Sequence, residues 1–247
     1  MRRWRQRLLL CVIGGCFVAL PASAQDSSIP EGHHHHASMS NESTDAGNVK
    51  LLADKQESEF NHHLAGFFVV LGGLFMLAQV PLANKWPSVK YVWPSTFLLS
   101  GIFLLVWSDT ELWPFGPRQW LEALENNREV LQHKTFAVLL LGLAFVEFLR
   151  VKETVKTIWS AMIFPVMAVA GSILLLFHEH EGGMVGPNHM EVMARIHSEH
   201  LSYATVGIGI GLAKMLAEIR MRGQRVFAAL WPGLMIGLGI LLMFYRE

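Results

Sequence analysis

Cysteine is nearly absent from this sequence. Its 247 residues include only two cysteines, Cys11 and Cys16, and both lie near the N-terminus. That stretch has four arginines, a short apolar core and an Ala22-Ser23-Ala24 motif before Gln25, which predicts a cleaved signal peptide at residues 1–24. A lipoprotein-type cut before Cys16 is the alternative. After cleavage no cysteine remains, which excludes disulfides and thiolate metal ligands and leaves histidine, methionine and carboxylates.

Charge is also scarce. Only 16% of the residues are charged, 52% are hydrophobic, and the formal net charge is zero. A balanced charge gives no field that would attract nucleic acid. The sequence has no phosphate-binding glycine loop, no Gly-x-Ser-x-Gly and no His-Glu-x-x-His motif, so we do not expect an enzyme. Low charge with high apolar content is typical of a membrane protein.

Six apolar runs account for this composition. They are His63–Ala83, Tyr91–Trp107, Lys134–Leu149, Ile158–Phe177, Leu201–Leu216 and Phe227–Phe244. A membrane-spanning helix needs about 20 apolar residues, with a range of about 17–25. The third and fifth runs are near the short limit, and their charges Glu147 and Lys214 lie close to the ends. We therefore predict an all-α membrane protein with six transmembrane helices, formed by residues 57–247.

The segment before these runs is polar. Residues 25–56 are rich in Ser, Asn, Asp and Glu and are predicted to be a disordered periplasmic tail. The tail contains His33-His34-His35-His36, which is either a purification tag or a native tract that collects metal.

The loops between the runs predict the orientation of the chain. Basic residues fall in three of them, 84–90, 150–156 and 217–225, whereas the other loops carry most of the acids. The positive-inside rule places the three basic loops in the cytoplasm. Together with an exported N-terminus, this predicts a bacterial inner-membrane protein whose N- and C-termini are both periplasmic.

A threefold repeat runs through the apolar part of the sequence. Its period is about 70 residues, and each copy begins with a histidine that is followed nine residues later by glycine. The three copies are His63 with Gly72, His133 with Gly142, and His200 with Gly209. A proline near the start of every second run, Pro94, Pro165 and Pro232, repeats at a similar period. This pattern predicts three repeated helical hairpins.

The histidines outside the tail all fall on the predicted outer side. They are His62, His63, His133, His178, His180, His189, His197 and His200. On a helix that starts near Asn188, four residues form a stripe on one face, because each residue turns by about 100°. These are His189, Met193, His197 and His200.

This distribution indicates a metal site. Neutral imidazole binds copper, zinc, iron and nickel, and methionine thioether shifts the preference towards Cu(I). We predict that at least three of His63, His133, His178, His180 and His200 share one copper ion, Cu(I) or Cu(II), with His197 and Met193 as further ligands. Zinc and haem are alternatives. His62 and His189 are predicted to be bystanders. Glu179, Glu181, Glu199 and Asp109 are candidate carboxylates to offset the charge of the metal.

The outer segment 108–132 is predicted to contain a short helix on the membrane surface. Gly116-Pro117 is a plausible start, and Trp120, Leu124 and Leu131 repeat on one helical face. Tryptophans at such positions lie in the headgroup region.

Several short motifs resemble the membrane domain of copper resistance protein D (CopD)-type proteins. The motifs are Gln132-His133, Ser108-Asp109 with Trp113-Pro114, Phe164-Pro165 with Leu176-Phe177-His178-Glu179-His180, His200, and the terminal Gly239–Glu247. The resemblance covers about residues 60–247. It implies copper handling at the bacterial inner membrane, with His133, His178, His180 and His200 as periplasmic ligands. The long tail and the Gly182–His189 insertion depart from that pattern.

Three functions are compatible with these features. The first is a copper-binding membrane protein that acts in copper homeostasis, uptake or delivery, with membrane lipid and a periplasmic copper-binding protein as partners. The second is a haem b electron-transfer protein that uses outer-face histidines. The third is a structural assembly factor. The one-sided histidines favour the first, and we expect no nucleic-acid partner.

Overall fold

A computed structural model describes residues 39–177, 189–219 and 223–246. The predicted signal peptide and His33-His34-His35-His36 lie outside these residues. Contacts divide the chain into two compact units, Met1–Ser43 and Thr44–Glu247. The described part of the first unit is the beginning of one helix, and all the features below lie in the second.

The described residues are helical and contain no strand. The long helices are α1 (Met39–Leu82), α2 (Val92–Val106), α4 (Arg128–Val151), α5 (Ile158–Leu175), α6 (His189–Glu218) and α7 (Gln224–Met243). A short 3₁₀ helix, Pro87–Tyr91, precedes α2, and the seven-residue helix α3 (Trp120–Asn126) precedes α4. Each of the six apolar runs of the sequence lies mainly on one of the long helices.

Four described segments are long and apolar enough to cross a membrane. They are Leu52–Leu82, Pro87–Val106, Ile158–Leu175 and Gln224–Met243. The helices α4 and α6 carry charged residues within their length, yet they also expose large apolar side chains, among them Val138, Phe145 and Leu201. Apolar surface of this kind is suited to lipid rather than water. The all-helical class predicted from the sequence is therefore confirmed, and four of the predicted spans are long and apolar enough to cross a membrane.

The first helix begins earlier than expected. The segment 25–56 was predicted to be a disordered tail, whereas its part from Met39 onward belongs to α1. Near the end of this extension, Lys55 and Glu59 stand one helical turn apart with 4.0 Å between their charged atoms. Glu57 also accepts hydrogen bonds from the backbone and hydroxyl of Thr110 at 3.0 and 2.9 Å. The N-terminal half of α1 is thus tied to the loop after α2.

The first and last helices of the bundle approach closely at glycine. A Cβ atom added to Gly66 of α1 would stand 2.6 Å from the carbonyl oxygen of Gly239 in α7. Helices pack this tightly in membranes where small residues let the backbones meet. Gly72 of α1 also lies close to Thr96 of α2. Further contacts join α2 with α4, α4 with α5, α5 with α6, and α6 with α7.

Aromatic residues that precede the repeated prolines meet in the core. Trp93, Phe164 and Trp231 stand before Pro94, Pro165 and Pro232 in the sequence. Their ring centroids lie 6.3 Å (Trp93–Phe164), 6.0 Å (Trp93–Trp231) and 5.3 Å (Phe164–Trp231) apart. All three side chains are buried. Positions that correspond in the sequence pattern therefore pack together in the core of the bundle.

Hydrogen bonds define one end of the bundle, which the loop charges predict to face outward. Asn61 of α1 donates to the carbonyl of Ser108 after α2, at 2.9 Å. Gln132 of α4 donates to the carbonyl of Phe177 after α5, at 2.7 Å. A ring nitrogen of His63 lies 3.0 Å from the carbonyl of Tyr245 after α7. We call this the outer end.

The opposite, inner end holds a network of charges. Arg150 of α4 donates to Glu147 and to Glu218 of α6, at 3.1 Å each, and Lys214 donates to Glu218. Glu147 and Lys214 are buried. The sequence showed Glu147 and Lys214 only as charges near the ends of two apolar runs. In the structure they form a group of four charged residues with Arg150 and Glu218, and this group connects α4 with α6.

The outer segment 108–132 folds against the start of α4. Its helix α3 begins at Trp120 rather than at Gly116-Pro117, and Leu131 belongs to α4. Asn127 ends α3 and caps α4, since its side chain accepts from the Val130 amide at 2.9 Å.

Candidate functional site

Three consecutive residues of α1 point in different directions at the outer end, because each helical residue turns by about 100°. Asn61 bonds to Ser108 beyond α2. His62 donates from Nδ1 to the carbonyl of Ser58, at 2.8 Å, one turn earlier on α1. His63 bonds through Nε2 to the carbonyl of Tyr245. Asn61 thus contacts the segment after α2, whereas His63 contacts the segment after α7.

On the α2 side, His133 belongs to a polar group with Asp109 and Lys134. The Nδ1 atom of His133 lies 2.9 Å from one carboxylate oxygen of Asp109. The ammonium group of Lys134 donates to the other oxygen at 2.6 Å and to the Leu104 carbonyl at 3.0 Å. Ser108 donates to the same Asp109 oxygen at 2.5 Å. The carboxylate is therefore bonded on both of its oxygens.

Electrostatics keep Asp109 ionised. Burial raises the pKa of its carboxyl, but hydrogen bonding and charge attraction from His133 and Lys134 outweigh burial, and the pKa falls from 3.8 to about 2. Asp109 was predicted to be a carboxylate that offsets a metal charge. In the structure its charge is already balanced by Lys134, and its other role is to accept a hydrogen bond from His133.

On the α7 side, His200 lies among aromatic rings. His200 is only 3% exposed, and Tyr245 is fully buried. The ring of His200 is 6.1 Å from that of Tyr203 and 6.4 Å from that of Tyr245, measured between centroids. The His62 ring stacks on Tyr245 at 3.9 Å and lies 6.1 Å from the His200 ring. His62, which the sequence suggested was a bystander, is therefore next to a buried histidine.

The structure does not bring His63, His133 and His200 together as a three-ligand site. Within the described ranges, no three His, Cys, Asp or Glu side chains are arranged to hold a metal ion. The reason is that His133 bonds to Asp109 beyond α2, whereas His63 and His200 both adjoin Tyr245. His197 is exposed and Met193 is half-buried, both on α6. His178 and His180 lie outside the described residues, and His189 is the first residue of α6.

Three of the outer-end histidines share one feature that suits metal binding. His62, His63 and His133 each have one ring nitrogen against an oxygen acceptor: a carbonyl, a carbonyl and a carboxylate respectively. Metal-binding histidines almost always have this bond, because it sets the tautomer and makes the other nitrogen the one with the lone pair. The donor chemistry at the outer end therefore fits a metal that prefers imidazole.

Sequence reasoning missed two tyrosines of this region. The chain has three tyrosines in all, and Tyr203 and Tyr245 both adjoin His200. A signal was present, because Tyr203 lies three residues after His200 and the two residues share a helix face. Nothing local to the sequence places Tyr245 there.

No protein-family description, curated protein or solved structure matches this chain.

Proposed function

We propose that this chain is a copper-binding protein of the bacterial inner membrane, related to the copper resistance protein D type. In this proposal the signal peptide is cleaved, six helices span the membrane as three hairpins, and both termini are periplasmic. Copper binds at the outer end and is passed to or received from a periplasmic copper-binding protein.

One observation carries the proposal: the histidines of the described bundle that make polar or ring contacts lie at its outer end. These are His62, His63, His133 and His200, contributed by α1, α4 and α6. Their grouping at one end of the bundle favours a common task over four separate interfacial roles. Imidazole nitrogen suits copper, and the mature chain would have no thiolate to compete for it.

The interior of the bundle favours binding and delivery over passage through the membrane. Trp93, Phe164 and Trp231 belong to its packed hydrophobic core. The charges at the inner end are paired with one another, and Lys214 also lies 4.8 Å from the centroid of the Trp231 ring. A metal held at the outer end therefore meets packed aromatic rings rather than a row of ligands.

The test is metal analysis of the purified mature protein, truncated before Leu51 so that the tail histidines do not contribute. We expect about one copper per chain, and reduced copper in His200→Ala. His189→Ala is the matched control, and it should retain the copper of the parent. Absorption spectra of the same samples test for haem, because a Soret band without copper would favour the electron-transfer alternative. A parent protein that binds no copper would overturn the proposal.

A further inference from the structure

The rings of His62 and His200 are spaced as two ligands of one ion would be. Their centroids lie 6.1 Å apart and their planes differ by 27°. A metal–nitrogen bond to histidine is about 2.0–2.1 Å, so two rings on one ion have centres roughly 5–6.5 Å apart, depending on the angle at the metal. The two residues come from α1 and α6, which the chain brings together only when the bundle closes.

The tautomer of His62 suits this role. Its Nδ1 donates to the Ser58 carbonyl at 2.8 Å, so Nε2 is the nitrogen with the lone pair. The carbonyl belongs to the preceding turn of the same helix, which makes it a rigid acceptor. A bond of this kind orients the ring before the metal arrives.

Tyr245 is placed to hold this pair in position. Its ring stacks on His62 with 3.9 Å between centroids, and its carbonyl accepts the bond from His63. Tyr245 and His200 are both buried, whereas His62 is partly exposed. A stacked ring of this kind restricts rotation of the His62 side chain, which lowers the conformational cost of binding.

We propose that His62 and His200 are a pair of nitrogen ligands to copper, and that Tyr245 is a positioning residue for them. The inference rests on the proposed function and makes it specific. Two imidazoles satisfy Cu(I), which accepts two nitrogen ligands, whereas a structural Zn²⁺ site is almost always four-coordinate. The proposal makes Cu(I) the bound form and assigns a ligand, His62, that the repeat pattern in the sequence leaves out.

The first experiment is competition for Cu(I) against a chromophoric chelator, using the truncated protein in detergent. Removing an outer-shell partner of a metal ligand costs about 10–100-fold in affinity, so His62→Ala and His200→Ala should each cost at least that much. Tyr245→Phe keeps the stacked ring and should bind like the parent, whereas Tyr245→Leu should weaken binding. His189→Ala is the control, and the thermal unfolding of each metal-free variant shows whether it is folded.

The second experiment needs no variant. X-ray absorption of the Cu(I)-loaded parent should show nitrogen neighbours with the outer-shell scattering of two imidazoles. A spectrum dominated by sulfur, or without imidazole scattering, overturns the inference.

The outcomes separate this inference from the proposed function. A parent that binds no copper defeats both. A parent that binds copper while folded His62→Ala retains the parent affinity and coordination defeats the ligand pair alone. A Tyr245→Leu variant with parent affinity removes the positioning role.

Discussion

Replacing Arg150 by methionine would leave a charge buried at the inner end of the bundle. The guanidinium group donates to Glu147 on its own helix and to Glu218 on α6, at 3.1 Å each. Glu147 is only 2% exposed, whereas Glu218 keeps Lys214 as a second partner. The substitution therefore acts mainly by removing the bonded cation of Glu147.

The expected cost follows from the chemistry of buried pairs. Removing one partner of a buried salt bridge costs about 3–5 kcal/mol, because the remaining charge is left uncompensated. Replacing both partners by apolar groups of similar size is often neutral or stabilising. We therefore expect Arg150→Met to lower the free energy of unfolding by about 3–5 kcal/mol, and the double variant Glu147→Met/Arg150→Met to recover most of that loss.

Unfolding in mixed detergent with increasing dodecyl sulfate, followed by tryptophan fluorescence, measures this difference, because Trp93 and Trp231 lie in the core. Lys156→Met is the matched control. Its ion pair with Glu153 is on the surface, so no measurable change is expected. If Arg150→Met unfolds like the control, the inner-end network does not contribute to stability as argued.

Three other predictions follow from the described contacts. Gly66→Val should weaken the packing of α1 on α7, because the added Cβ would lie 2.6 Å from the Gly239 oxygen. Gly142→Ala is the control and should be tolerated, because no atom lies within 4 Å of its added Cβ. The thermal unfolding temperatures of the two variants test this difference. Asp109 has a folded pKa of about 2, below its ordinary 3.8, so its contribution of roughly 2 kcal/mol is present above pH 4 and lost as pH falls towards 2. The stability difference between the parent and Asp109→Asn should shrink over that range. A reporter active only in the cytoplasm should give no signal after Glu247 but a strong signal in the 150–156 loop; the reverse pattern would refute the topology.

Hydropathy was enough to find the helices of the bundle. Apolar runs are a local property of the chain, and a long apolar segment has to form a helix in lipid because its backbone groups have no water to bond. The beginning of α1 was harder to predict, because its polar extension does not differ in hydropathy from a loop. The start of α6 was predicted correctly, since the helix expected to start near Asn188 begins at His189.

The sequence by itself therefore determined the helical class, the apolar segments and the side of the bundle on which the histidines lie. The charge pattern, the repeat and the position of His63, His133 and His200 at the start of an apolar run are all properties of neighbouring residues. They needed no knowledge of which helix packs on which.

Only the tertiary structure decided which histidines meet. His62 and His63 are adjacent, and a turn of about 100° decides which of them faces α6. That rotation depends on how α1 packs on α7, where Gly66 and Gly239 approach each other. The same packing brings Tyr245, from the far end of the chain, onto the His62 ring. A contact between the two ends of a sequence arises only when the bundle closes, and no local pattern of residues encodes it.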